Sequence, residues 1–159
     1  MAQPMWRKIV PELAVPEAGK QWKLALEMLT VGRIMKVEVV VAPTRVPPEL
    51  GEWIPQEFAA ACSADGDFDG TARGTRPTGT PLVASTPLGA LIARIGGSTA
   101  DQTVDTAQTP SRLIFSIGRK CIFTVPASPV GSLFLGVNDD PIRMAGVNGR
   151  LLVDIYEAV

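Results

Sequence analysis

Fourteen prolines and fifteen glycines are scattered along the 159 residues, and they break helical patterns again and again. What survives between them is a period of two. Leu133, Leu135 and Val137 fall on one face of a run, and Leu151, Val153 and Ile155 do the same in a second run. Alternation of this kind over short segments predicts strands. Similar segments lie at Leu88 to Ile95, Leu113 to Ile117 and Cys121 to Val125, separated by short, turn-rich gaps. The expectation is an all-β chain, a two-sheet antiparallel β-sandwich or jelly roll.

One segment reads both ways. Trp22, Leu24, Leu26 and Met28 alternate, while Trp22, Ala25, Leu26 and Leu29 also fit a helical face. The β-branched run that follows, Val37, Val39 and Val41 alternating with Lys36, Glu38 and Val40, favours strands here, with a turn at Gly32 and Arg33. Residues 1–20 read as an N-terminal extension or edge strand. Between residues 43 and 86 the pattern dissolves into prolines, an acidic run and a Thr/Gly/Pro/Arg tract, which reads as a long, partly mobile excursion. Gly96 to Pro110 reads as a loop of weak strand content. The whole, residues 1–159, fits one domain large enough to bury a core without metal or disulfide support.

Composition narrows the function classes. The chain has no histidine, which removes the usual general base and the Ser-His and Cys-His nucleophile pairs. No clear pair of carboxylates replaces it, so the expectation is a protein that is not an enzyme. A net charge of -1, with no basic stripe, argues against nucleic acid as a partner. No run of some eighteen apolar residues exists to span a membrane. The first ten residues carry Trp6, Arg7 and Lys8 without an apolar h-region, which points to a cytoplasmic protein, released, if at all, without a classical signal peptide. Cys62 and Cys121 lack a C-x-x-C spacing and read as packed free thiols.

Three loops hold candidate ligands. The run Asp65 to Gly70 imitates the start of an EF-hand, but its twelfth position is Arg76 instead of Glu, so it reads as a solvated acidic turn, with a looser calcium site as the alternative. Trp53, in a proline-flanked loop, reads either as a tryptophan capping the edge of the core or as an exposed one with a face free to stack on a sugar ring. The loop Asn138-Asp139-Asp140-Pro141 puts oxygen donors at the rim between two strands. Such donors suit a calcium ion or a sugar hydroxyl, and they equally suit an Asx turn.

Three pieces together carry a resemblance: the Trp53-Ile-Pro-Gln56 loop, the strand Leu88 to Gly96, and the strand Gly131 to Asp139 with its return Asn148 to Ile155. In order and spacing the chain resembles the calcium-dependent galactose-binding bacterial lectins and their jelly-roll relatives. The resemblance implies a galactose-binding-like sandwich that forms a homo-oligomer and holds calcium between protein oxygens and two sugar hydroxyls. It makes Asp139 a metal and sugar ligand and the carbonyl of Arg143 a metal ligand. An adjacent Asn-Asn pair should follow, and Gly146 and Val147 stand there instead. Asp140 or Asn148 would then have to compensate. The family's sugar-contacting histidine is absent too, and Glu57 and Phe58 follow Gln56 where the family has glycine and aspartate. The resulting expectation is a lectin-like, carbohydrate-binding domain with its site at Trp53, Gln56, Asn138, Asp139, Asp140, Arg143 and Asn148. The alternative is a structural or protein-interaction sandwich that has lost the sugar site and acts through oligomerisation.

Overall fold

The computed structural model describes residues 5–97 and 113–159. Among these residues eleven strands follow one another: β1 (Trp6–Val15), β2 (Lys23–Leu26), β3 (Ile34–Val40), β4 (Glu52–Ile54), β5 (Cys62–Ser63), β6 (Leu91–Ile95), β7 (Leu113–Ser116), β8 (Lys120–Thr124), β9 (Leu133–Val137), β10 (Asn148–Gly149) and β11 (Leu151–Ala158). The only helical element among the described residues is one turn of 3-10 helix, Pro141–Arg143. Two four-stranded sheets result, in the orders β1-β11-β3-β8 and β2-β9-β6-β7, with a small sheet β10-β4-β5 beside them. Every pairing is antiparallel. The protein is a two-sheet antiparallel β-sandwich.

The alternating runs behave as their period demands. Leu133, Leu135 and Val137 of β9 and Leu151, Val153 and Ile155 of β11 are fully buried, and Leu91, Ala93, Val37 and Val15 join them. β6 and β9 are buried along their whole length. Their second face, carrying Ile92, Arg94, Phe134 and Gly136, is covered in part by Trp22. The Arg94 guanidinium lies 4.2 Å from the Phe134 ring centre and 5.0 Å from that of Trp22. A Cβ on Gly136 would stand 2.7 Å from the Gln21 carbonyl and 3.0 Å from the Trp22 ring, so the strand has room for glycine alone there.

The ambiguous segment resolves as strands, β2 and β3, with the turn at Gly32. The N-terminal segment forms an edge strand paired with β11. The excursion over residues 43–86 is not loose. It contributes Trp53, Phe58, Cys62, Ala64 and Ala72 to the core, and Arg76 is buried with them. Sequence reasoning missed this because the anchoring residues are isolated within turns and carry no period. The acidic run turns on itself: Asp67 accepts from the amides of Ala72 and Arg73, Asp69 from Thr71, and Asp65 from Arg119. Most of the loop expected at Gly96 to Pro110 lies outside the described residues.

Candidate functional site

β9 delivers Asn138 and Asp139 directly from the sandwich into the loop, and both are fully buried. Asn138 ties down the neighbouring segment. Its Nδ2 donates to the carbonyls of Val83, Thr86 and Pro87 at 3.0, 3.0 and 3.2 Å, and its Oδ1 accepts from Val83 N at 3.0 Å. Asp140 caps the 3-10 turn by accepting from Ile142 N, and Thr80 N also approaches it at 3.4 Å.

Asp139 does not turn its carboxylate outward. Arg76 reaches in from the excursion and grips both oxygens, NH1 donating to Oδ2 at 2.9 Å and NH2 to Oδ1. The side chains are 1 % and 0 % exposed. Asp140 N donates to Oδ1 as well, at 2.7 Å. Arg76 NH1 also donates to the Gln56 carbonyl at 2.9 Å, and its guanidinium lies 5.3 Å from the Phe58 ring centre. A fork-shaped cation meeting a carboxylate with two bonds is the strong form of this contact. The expected role of Asp139 as an outward ligand is therefore corrected: its oxygens are engaged by the chain itself.

Gly146, where the resemblance expects asparagine, also faces a side chain of the excursion. A Cβ on Gly146 would collide with the Gln56 side chain, standing 2.7 Å from its Cδ and 2.9 Å from its Cβ. Gln56 thus occupies the volume beside residue 146, so any larger residue there would have to displace the Gln56 side chain. Its neighbour Arg143 lends its carbonyl to Gly146 N at 3.1 Å. The carbonyl expected to hold a metal is therefore spent at least once on the turn, and Arg143 NH1 is buried without a partner among the described residues.

Trp53 takes the core-edge place and not the sugar-stacking one. It is 1 % exposed and its Nε1 donates to the Gly89 carbonyl at 2.8 Å, so its ring serves the core and offers no free face. Asn148 is the exception within the set: it is exposed, in β10, paired with Ile54 of β4. Beside it opens a shallow cleft of about 770 Å³ bordered by Pro16, Pro47, Leu50, Ile54 and Asn148. Arg150 closes one side, its guanidinium on Glu49 at 2.9 Å. Among the described residues no group of three or more His, Cys, Asp or Glu gathers into a metal-binding cluster.

The structure therefore brings Gln56, Asp139 and Arg143 to one region, adds Arg76, and sets Asn148 and the edge of Trp53 along the cleft. Arg76 was visible in the sequence only as the wrong residue to end a calcium loop. Nothing in its spacing from Asp139, 63 residues away, could have paired them. Compared with protein-family models, curated proteins and solved structures, the chain matches none.

Proposed function

We propose that this protein is a non-enzymatic β-sandwich binding module that works through protein contact, self-association included, without a calcium-held sugar. The observation that carries this reading is the buried Arg76–Asp139 pair. A calcium ion needs six to eight oxygens, and a guanidinium already neutralises the carboxylate that would anchor it. To bind calcium, Asp139 would have to abandon two charge-assisted hydrogen bonds and leave Arg76 buried and unpaired, a heavy penalty. The side chain of Gln56 fills the space beside Gly146, where the resemblance would put the next ligand.

Titration calorimetry with calcium and galactosides should give no saturable heat, and unfolding midpoints should coincide in calcium and in a chelator. Light scattering should report a species larger than one chain. Calcium-dependent galactoside binding that saturates would overturn the reading.

A second reading rests on the cleft of about 770 Å³ beside Asn148. Its mixed border of apolar carbons and an exposed amide suits a polyhydroxylated ligand bound without metal. Glycan-array binding that persists in chelator and disappears in Asn148→Ala would favour it. Binding unaffected by that change would remove it.

A further inference from the structure

We infer that two copies of this chain join through the free edge of β8, antiparallel, with Ile122 opposite Ile122 of the second copy. This deepens the interaction reading above and rests on it, since it names the surface and the partner.

The four edges of the two sheets are not alike. β1 carries Pro11, two register irregularities against β11, and Glu12 at a φ of 46°. Bulges, prolines and charges of this kind prevent strands from adding to an edge. β2 is short and also has a register shift. β7 starts at the limit of the described residues. β8 follows β3 through five consecutive pairs without a shift, contains no proline, and bears a single charge, Lys120. Among the described residues nothing pairs with its other side.

The backbone groups on that side can be assigned. Val39 N donates to the Arg119 carbonyl and Val125 N to the Arg33 carbonyl, so the odd positions of this strand bond to β3. Antiparallel pairing alternates, which turns the N–H and C=O of Lys120, Ile122 and Thr124 to the open edge. Centred on Ile122, two copies satisfy all of these groups between them, Lys120 facing Thr124 of the second copy at both ends. Other registers do worse. Centring on Lys120 sets two ammonium groups opposite each other, and centring on Thr124 runs Ile122 against Pro126, which has no N–H to donate.

The side chains agree with the backbone. Ile122 is 53 % exposed, and Ile34, diagonal to it on the same face, is 42 % exposed. On the inner face Cys121 and Phe123 are only half-buried. A strand added at this edge would cover apolar groups above and below. Lys120 is already flanked by Glu38 on β3, so the row Glu38, Lys120, Thr124 of the second copy brings no like charges together. An edge that is its own complement under a two-fold axis selects a second copy over an unrelated strand.

The test follows the oligomer by light scattering and the individual amides by hydrogen exchange over a concentration series. The expected result is a dimer in which the amides of Lys120, Ile122 and Thr124 exchange rapidly at low concentration and gain protection as the dimer fills. Ile122→Lys should raise the dissociation constant at least about tenfold, by removing buried apolar surface and facing two cations. It should leave the far-ultraviolet spectrum intact, because the residue is half-exposed. Ile122→Pro should act likewise, since the N–H it removes faces the open edge and has no partner among the described residues. A protein that stays monomeric at the highest attainable concentration overturns the proposal. So does a dimer whose β8 amides stay unprotected and which ignores Ile122→Lys, though that outcome leaves the interaction reading standing. Protection that appears only on adding a different protein assigns the edge to that partner and overturns the second copy. Failure of the interaction reading itself is read separately, as calcium-dependent galactoside heat.

Discussion

Arg76→Met removes a buried charge while keeping most of its volume, and its cost can be worked from the contacts. The guanidinium makes two bonds to the Asp139 carboxylate and one to the Gln56 carbonyl, and it faces the Phe58 ring. Without it, a fully buried carboxylate retains, among the described residues, only the amide of Asp140. Breaking a buried pair from one side costs about 3–5 kcal/mol, because the remaining charge has neither water nor a partner. Total stabilities are about 5–15 kcal/mol, so a large share is lost. With a urea slope of about 2 kcal/mol per molar, the unfolding midpoint should fall by about 1.5–2.5 M. Asp139→Leu alone should be destabilising for the mirror-image reason. The double variant should recover much of the loss, with a coupling energy of about 2–3 kcal/mol. Midpoints and slopes from equilibrium urea unfolding of the four proteins close the cycle. Additive losses, or a single Arg76→Met loss below about 1 kcal/mol, would refute the claim that this pair, and not packing alone, closes the loop.

Three further outcomes follow from other contacts. Gly146→Ala should cost about 1–3 kcal/mol in thermal or urea unfolding, because its Cβ meets the Gln56 side chain, and Gln56→Ala in the same protein should restore most of it. Burial, with the charges of Asp67 and Glu52, pushes the Cys62 thiol up to about 12, so at pH 8 a thiol reagent should label Cys121 first and reach Cys62 only on unfolding. Burial acts to raise the Asp154 carboxyl, but the Glu12 amide and the Lys8 ammonium outweigh it and hold the group below its usual range. A carboxyl lowered in the folded state contributes fully above its unfolded value of about 3.9 and loses that contribution as the pH falls through the folded value. Asp154→Asn should therefore flatten the acid limb of a stability profile below about pH 4, and an unchanged limb would count against the contact.

The sandwich was legible because burial on one face imposes a period of two. Leu133, Leu135 and Val137 announce β9, and Leu151, Val153 and Ile155 announce β11, whatever surrounds them. The wrapping of residues 43–86 was not legible. Trp53, Phe58, Ala72 and Arg76 are buried one at a time from turns, each held by a long-range contact that local sequence does not encode. The site fared the same way. Asn138 and Asp139 were singled out for their oxygens, and the structure uses those oxygens, but for internal partners. Whether an Asx pair at a strand end looks outward or inward depends on what arrives from elsewhere, here Arg76 and the carbonyls of residues 83–87.

The two departures at the loop belong together. A carboxylate at the end of a buried strand, such as Asp139 after β9, needs a positive partner, and that partner can come from solution or from the chain. An ion from solution leaves the fold dependent on its concentration and needs several protein oxygens to converge on it. A guanidinium from the chain needs a segment to carry it inward and a wall to hold it. Residues 53–76 supply both: Phe58 lies against Arg76, the Gln56 carbonyl accepts its spare N–H, and the Gln56 side chain takes the volume that glycine at 146 leaves open. An arginine at 76 with asparagine at 146 would crowd Gln56, whereas glycine at 146 without the arginine would leave the Asp139 charge buried without a cation. The loop is thus one arrangement with linked parts, in which the rim carboxylate is spent on the chain's own arginine.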